Sequence, residues 1–323
     1  MGKKITIPHT DLSLFPIGLG TAQAGLGRDE REYDRVFDAY TDCGGNVIDT
    51  AHVYSDWVPG EWARSERVVG DWLFRSGKRN GLVLMTKGGH PDMRTAHPDL
   101  HRSRMSRAEM TKDLDESLQK LRTDRIDIYF YHRDDRSQPV EEEMEVMQDL
   151  VRAGKIRYFA CSNWDADRMR AADDYCRVKG YRSLAADQSL LNLGMKYFKG
   201  NADDTLCCID GEIARYHAEN PDNLAMPYMA NCGGFFQAYA AKGEDGVRGS
   251  VYDTQGNRRA AARLQELCAQ RGCSLTQAVL GFLFCQPFAC LPLYGTGSAE
   301  RVIDACGAAD VPFTAADYAW VLE

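Results

Sequence analysis

The sequence lacks the features that define several large classes of protein. No run of 18 uncharged apolar residues occurs, although a membrane-spanning helix needs one. Residues 1–10 contain no apolar core of the kind that signal peptides have. With a net charge of −8, the chain also shows no basic cluster for a nucleic-acid backbone. We therefore expect a protein with no membrane and no nucleic-acid partner.

The sequence also lacks the cysteine and histidine spacings that are typical of metal sites and disulfide frameworks. The eleven cysteines include no Cys-x-x-Cys pair. An odd number of unpaired cysteines is typical of free thiols in a reducing compartment, so we expect a cytoplasmic protein. His90, His97 and His101 share one segment, but their spacing fits no zinc motif. We interpret this segment as a solvated loop or a lid over a substrate, and we predict no metal.

Short apolar runs alternate with helical patterns along the whole chain. The runs predict strands buried on both faces at residues 14–20, 46–51, 82–88, 126–132, 156–163, 183–191, 224–230 and 290–296. Helical patterns cover residues 29–45, 60–76, 106–124, 139–155, 165–178, 204–219, 257–271, 274–286, 298–308 and 314–322. Eight alternating strand–helix units predict an α/β fold, a single (β/α)8 TIM barrel domain over residues 1–323.

Two segments add detail to this fold. Apolar residues between positions 5 and 14 predict an N-terminal β-hairpin that caps the bottom of the barrel. Residues 231–256 predict a long functional loop after strand 7. A doubly wound sheet is the alternative fold. The glycines between positions 18 and 25 make a poor dinucleotide fingerprint for it, because the last glycine comes late and no helix follows at once.

Charged and polar residues stand where predicted strands end. Asp49 ends the second strand, and Tyr54 lies in the loop after it. Lys87 ends the third strand and His132 the fourth. The strand C-termini of a parallel barrel share one face, where active sites lie. Because burying unpaired charge is costly, we expect Asp49 and Lys87 to pair at this face.

This pairing predicts a proton-transfer site. An ammonium about 4 Å from a phenol favours the phenolate by about 4 kcal/mol at an effective dielectric of 20. We therefore expect Lys87 to lower the pKa of Tyr54, which would act as the proton donor. Asp49 would keep the desolvated Lys87 protonated. His132 would hydrogen-bond and orient the substrate oxygen.

The strand-end segments resemble the aldo-keto reductase family over nearly the whole chain. The matching stretches are GGNVIDTAHVYSDW, MTKGG, IDIYFYHRDD and GKIRYFACSNW. The resemblance implies a barrel that binds NADP, with NAD as the alternative, without a Rossmann domain, and that interconverts a carbonyl and an alcohol. Within the family, the sequence resembles the channel-β-subunit-like and the bacterial sugar-related branches. The implied catalytic residues are Asp49, Tyr54, Lys87 and His132.

The same resemblance implies a set of cofactor-binding residues. Ser162, Asn163 and Gln188 match the residues that bind the nicotinamide carboxamide, and Arg301 matches a position that often contacts the 2′-phosphate of NADP. The full set is Thr21, Ser162, Asn163, Gln188, Tyr228, Met229, Asn231, Thr296, Ser298 and Arg301. The family commonly has Ser-Pro-Leu where residues 229–231 read Met-Ala-Asn.

The sequence leaves the substrate and one alternative function open. Trp57, Trp62 and Trp164, with Arg133 and Asp134 nearby, suit a sugar or a sugar-derived carbonyl, but such residues equally serve loop packing. A cofactor-binding regulatory subunit is the second hypothesis, because barrels of this family also partner ion channels. A barrel isomerase or lyase is the third, and it would not need the three carboxamide-binding residues together. The oligomeric state is not predicted.

Overall fold

The alternating pattern becomes ten strands and eleven α-helices in the computed structural model, which describes residues 4–27 and 29–323. The strands are β1 Ile5–Thr6, β2 Ser13–Leu14, β3 Gly18–Gly20, β4 Val47–Asp49, β5 Val83–Gly88, β6 Ile126–Tyr131, β7 Ile156–Ser162, β8 Ala186–Gln188, β9 Leu224–Ala225 and β10 Leu293–Gly295. The α-helices are α1 Glu30–Asp42, α2 Arg64–Ser76, α3 Arg107–Lys120, α4 Val140–Arg152, α5 Ala166–Lys179, α6 Gly211–Glu219, α7 Phe235–Lys242, α8 Gln255–Arg271, α9 Leu275–Phe284, α10 Ala299–Cys306 and α11 Ala315–Val321. Among these residues, no helix is long and apolar enough to cross a membrane.

Eight parallel strands form one curled sheet. Their order is β10-β3-β4-β5-β6-β7-β8-β9, so neighbours in the sheet follow the chain. The two edge strands also approach each other: the backbone N–H of Leu291 donates to the carbonyl of Ala225 at 2.8 Å, and that of Leu293 to Pro227 at 3.0 Å. This arrangement is consistent with the (β/α)8 fold that the alternation predicts.

Local signals fix where the helices begin and which face they bury. The hydroxyl of Ser106 accepts the backbone N–H of Glu109 and caps α3. Tyr33, Val36, Phe37 and Tyr40 form a buried stripe on α1 at helical spacing. These helices pack outside the sheet and bury an apolar layer against its outer face.

The inside of the curled sheet is a second apolar cluster. It contains Val47, Val83, Met85, Ile128, Phe130, Ala160, Ala186, Leu224, Met226, Leu291 and Leu293. Ile7, Leu12 and Leu14 of the antiparallel β1–β2 hairpin pack on it, which confirms the predicted hairpin. Side chains alternate between the two faces of a strand, so residues two places beyond Val47 and Met85 also face inward. Those residues are Asp49 and Lys87.

Several predicted boundaries are wrong, and one predicted loop is largely helical. The strand over 183–191 is only Ala186–Gln188, and the helix over 204–219 begins at Gly211. Segment 231–256 contains α7 between two short 3-10 helices, Cys232–Gly234 and Gly243–Gly246. The rings of Phe235 and Tyr239 stack at 6.0 Å one turn apart in α7. The flanking glycines favoured a loop and concealed this spacing.

Candidate active site

Four polar groups meet at the end of β4 and β5. The Lys87 ammonium donates to both oxygens of Asp49 at 2.8 Å and to the carbonyl of Thr50 at 2.8 Å. It also lies 3.1 Å from the hydroxyl of Tyr54. Lys87 and Asp49 are both buried, so the ion pair is shielded from water. The predicted pairing of Asp49 with Lys87 is therefore confirmed.

Burial and the ion pair together set the protonation of this group. Burial acts to lower the pKa of Lys87, but the Asp49 carboxylate opposes it, and the net pKa is raised. Lys87 is thus an ammonium at neutral pH. Desolvation raises the pKa of Tyr54 above 10.0, and the nearby Lys87 only partly offsets it. The predicted lowering of the Tyr54 pKa is wrong in net direction, because a sequence does not show how completely the phenol hydroxyl is desolvated.

His132 completes the group from the neighbouring strand. Its backbone N–H donates to the carbonyl of Gly88 at 3.0 Å, which continues the pairing of β5 with β6. The imidazole is buried and lies edge-on to the Tyr54 ring, with 5.8 Å between ring centres. Burial, followed by the charges near it, lowers the pKa of His132 well below 6.5. His132 is therefore a neutral imidazole at neutral pH.

The loop that carries Tyr54 is held in an unusual conformation. The backbone N–H of His52 donates to the carbonyl of Lys87 at 3.0 Å, and that of Tyr54 to Ala51 at 3.1 Å. Ser55 then adopts a left-handed φ of 81°, which is uncommon for a residue other than glycine. Such backbone outliers cluster at functional sites. The turn places the Tyr54 hydroxyl over the end of the sheet.

A cavity of about 490 Å³ opens above these residues. Its lining includes all four predicted catalytic residues and most of the predicted cofactor residues: Thr21, Ser162, Asn163, Gln188, Tyr228, Met229, Asn231 and Thr296. Ser298 and Arg301 are not among the lining residues. The hydroxyl of Ser298 caps α10 by accepting the N–H of Arg301, whose side chain is exposed.

The predicted carboxamide-binding residues are linked to the proton-transfer group. The Ser162 hydroxyl donates to the carbonyl of Gln188 at 2.7 Å, and the Asn163 amide donates to the Ser162 hydroxyl at 3.0 Å. The Gln188 amide donates to Asp49 at 2.8 Å. Tyr228 donates to the Asn163 side-chain oxygen at 2.7 Å. One hydrogen-bond network therefore runs from Lys87 to β7 and the segment after β9.

The donor set of this cavity fits a nicotinamide dinucleotide. Gln188 donates its amide N–H to Asp49 and offers its amide oxygen as an acceptor, and Ser162 and Asn163 add further polar groups to the same lining, which suits a carboxamide. At the other end, Cys232, Gly233 and Gly234 have φ values of 51°, 61° and 81°. Gly233 and Gly234 line this end of the cavity directly before the N-terminus of α7, and a helix N-terminus suits anions. The sequence interpretation missed this turn, although the adjacent glycines were a signal for it.

The structure also locates Trp164 and the three histidines His90, His97 and His101. The Trp164 ring is fully buried and stacked on Tyr131 at 5.7 Å, so it is a packing residue. His90 is buried beside His132, whereas His97 and His101 are exposed. Within residues 4–27 and 29–323, no group of three or more His, Cys, Asp or Glu side chains could hold a metal. The predicted absence of a metal stays a prediction.

The sequence comparisons define the class of protein. The chain belongs to the aldo/keto reductase family, whose sequence model matches residues 16–322. This confirms the resemblance that the strand-end segments carry.

Individual relatives come from fungi and bacteria. The chain is 30% identical over 202 residues to an aryl-alcohol dehydrogenase [NADP(+)] of Phanerodontia chrysosporium, covering 58% of this chain and 51% of that protein. It is 34% identical over 210 residues to aldo-keto reductase YhdN of Bacillus subtilis, covering 62% and 60%. Uncharacterized oxidoreductase YrpG of the same species is 24% identical over 94% of this chain and 90% of its own length. The chain thus spans about half to three-fifths of the first two relatives.

Proposed function

We propose that this protein is an NADP-dependent oxidoreductase that interconverts a carbonyl and an alcohol, with Tyr54 as the proton donor. The observation that carries the proposal is the Lys87 ammonium held between the Asp49 carboxylate and the Tyr54 hydroxyl. All three groups line one cavity. No purely structural role requires a phenol to sit on a buried ion pair at the mouth of a barrel.

Each catalytic side chain has a separate task in this proposal. His132, neutral and buried, hydrogen-bonds the carbonyl oxygen and orients it. Tyr54 holds its proton at neutral pH and gives it to the oxygen as negative charge develops there. Lys87 then stabilises the phenolate that forms, and Asp49 keeps Lys87 charged. The nicotinamide, when bound, supplies the hydride.

The proposed cofactor contacts follow the cavity from one end to the other. Ser162, Asn163 and Gln188 hold the carboxamide next to Tyr54. The turn at residues 232–234 and the N-terminus of α7 face the phosphates. Thr296, Ser298 and Arg301 lie at the start of α10, on the adenosine side. Arg301 supports NADP over NAD, because an exposed guanidinium is suited to bind a 2′-phosphate.

The substrate class that we propose is a sugar or a sugar-derived carbonyl, from the exposed aromatic residues that follow Tyr54 in the chain. Trp57 packs edge-on to Tyr54 at 6.3 Å, and its side chain is 43% exposed. Trp62 is 53% exposed and carries the Arg94 guanidinium 5.3 Å from its ring centre. Aromatic plates with charged neighbours suit a polyhydroxylated ligand. An aromatic aldehyde is the competing substrate, since a relative bears the name aryl-alcohol dehydrogenase.

A cofactor-oxidation assay tests the proposal. NADPH oxidation is followed by absorbance with aldoses, sugar-derived aldehydes and aromatic aldehydes. Tyr54→Phe should bind NADPH as the wild type does but lose about 10²- to 10⁴-fold in kcat, because it has no proton to give. Tyr175→Phe removes the hydroxyl of a half-buried tyrosine of α5 that does not line the cavity; it is the matched control and should keep full activity. Full activity in Tyr54→Phe would remove the proton-donor role, and turnover of aromatic aldehydes alone would overturn the sugar assignment.

A cytoplasmic location is also proposed, on the observation that all eleven cysteines are free thiols. Burial raises the pKa of Cys232 to about 12 and that of Cys176 to about 11. These thiols are therefore protonated and poorly nucleophilic at neutral pH. The regulatory-subunit alternative gains no support from the site, because Asp49, Tyr54, Lys87 and His132 all line the cavity, which supports turnover.

A further inference from the structure

His90 is a buried histidine next to the active site that the proposed reaction leaves without a task. It follows Gly88 and Gly89 at the end of β5 and is only 7% exposed. Its ring lies edge-on to the His132 ring, with 4.7 Å between ring centres. This is closer than the 5.8 Å between His132 and Tyr54. His132 therefore contacts two rings, one of which belongs to the proposed proton donor.

The backbone around His90 is held by hydrogen bonds to Asp113 and Arg104. Gly89 has a φ of 79°, which lets the chain turn sharply after β5. The Gly89 N–H donates to Asp113 at 3.0 Å, while Arg104 bonds both Asp113 at 2.7 Å and the carbonyl of His90 at 3.1 Å. A residue whose backbone is held this firmly can position a neighbouring side chain.

The hydrogen bond of the His90 ring fixes its tautomer. His90 Nδ1 lies 2.9 Å from the carbonyl of Pro91. A carbonyl only accepts, so Nδ1 carries the hydrogen, and a neutral His90 has its lone pair on Nε2. The charged groups that face His90 are Arg133, Arg104 and Asp203. Burial and the two arginines lower the pKa of His90 to about 4, so this imidazole is neutral beside His132 at neutral pH.

His132 lacks the usual means by which an active-site histidine is oriented. Its Nδ1 is buried and has no hydrogen-bond partner among residues 4–27 and 29–323. Active-site imidazoles are commonly held by a hydrogen bond from the second ring nitrogen to a carboxylate or carbonyl. Protonating His132 would place a hydrogen on a nitrogen with no acceptor, which is costly. Its orientation must come from ring packing instead.

We infer that His90 is a positioning residue for His132: its ring packs on the His132 imidazole, excludes water from it and holds it so that Nε2 faces the substrate oxygen. This inference rests on the proposed function for its effect on turnover, but not for its effect on the titration of His132. The other ionisable groups facing His132 are Lys87, His52 and Arg133. Tyr54, which is ionisable as well, contacts the His132 ring at 5.8 Å between ring centres, and the His90 ring lies nearer, at 4.7 Å.

Three variants separate ring packing from support of the loop. His90→Phe keeps a ring and removes the bond to Pro91; His90→Gln keeps a donor and removes the ring; His90→Ala removes both. The titration of His132 is followed by imidazole NMR, with its signal assigned from His132→Asn. In His90→Ala and His90→Gln, water reaches His132, and the titration midpoint should move up towards the ordinary histidine range, while in His90→Phe it should stay near that of the wild type.

Activity is the second measurement. In His90→Ala and His90→Gln the acidic limb of the kcat/KM profile should move to higher pH, and kcat should fall about tenfold, as is usual when an orienting neighbour is lost. His97→Ala, at an exposed histidine of the same loop, should match the wild type in both measurements.

Each outcome of these measurements either supports or overturns the inference. Recovery of the wild-type titration by His90→Gln and not by His90→Phe would assign His90 to loop support and overturn the inference. An unchanged midpoint in His90→Ala would overturn it too. A shifted midpoint in a protein that oxidises no NADPH would uphold the positioning role and contradict the proposed function.

Discussion

The two ends of the same inner barrel strands are equally buried but opposite in chemistry. At the amino end, Val47, Val83 and Ile128 pack with the β1–β2 hairpin in a dry apolar cluster. At the carboxyl end, the same inward positions hold Asp49 and Lys87, which are 2% and 1% exposed. Depth of burial therefore does not distinguish a core from a site. What distinguishes them is whether the buried atoms need partners.

This difference assigns stability to one end and chemistry to the other. A fully buried aliphatic side chain at the amino end contributes about 1.5–3 kcal/mol relative to exposure. The ion pair at the carboxyl end regains in attraction roughly what its desolvation costs, so it is weak evidence for stability. Its residues are better explained by a reaction that needs a charged lysine beside a phenol.

The largest expected effect comes from breaking the ion pair on one side. Among residues 4–27 and 29–323, Lys87→Met leaves the Gln188 amide as the one side-chain donor to the buried Asp49, so the free energy of unfolding should fall by about 3–5 kcal/mol. Turnover should be lost as in Tyr54→Phe. Adding Asp49→Asn removes the stranded charge and should recover most of the stability but none of the turnover. Urea unfolding and NADPH oxidation measure the two quantities, and recovery of both would contradict a catalytic role for the pair.

A smaller effect, of the opposite kind, is expected at the amino end. Leu14→Ala removes a fully buried side chain from the hairpin that closes the barrel. It should lower the free energy of unfolding by about 2–5 kcal/mol. The kcat should change less than twofold, because Leu14 packs at the far end of the inner strands. Val178→Ala, at a side chain that is 76% exposed, is the control. A large loss of kcat in folded Leu14→Ala would show that the two ends are not separable.

The sequence could predict that Asp49, Tyr54, Lys87 and His132 lie at one cavity, because the ends of buried strands can be recognised in it. A continuous apolar run interrupted by Asp49 or Lys87 marks the place where an inner strand meets the cavity, and parallel strands bring such places together. The family match over residues 16–322 confirms the resemblance that those segments carried. The order of the strands in the sheet followed from the alternation of strands with helices along the chain.

What the sequence could not show depends on contacts between distant segments. The helix α7 was hidden by flanking glycines that equally suit a loop, and its stability comes from Phe236 packing in a cluster with α8 and α9. The pKa of Tyr54 depends on how many atoms surround the phenol, which no local pattern records. The contact of His90 with His132 joins residues 42 positions apart and follows only from the register of β5 and β6.

The smallest expected effect concerns pH. Between pH 6.5 and 10, kcat/KM should stay constant. The pKa of His132 lies well below 6.5, and that of Tyr54 lies above 10.0. Below the His132 pKa an imidazolium replaces the neutral ring, and above the Tyr54 pKa a phenolate has no proton to give, so activity should fall outside this window. Within it, both groups keep their working forms, and kcat/KM for carbonyl reduction should be flat. Buffers of constant ionic strength are needed, because salt screens charge interactions. A bell-shaped profile centred near neutral pH, lost in Tyr54→Phe, would show that Lys87 lowers the tyrosine pKa after all, and that charge rather than desolvation dominates the carboxyl end.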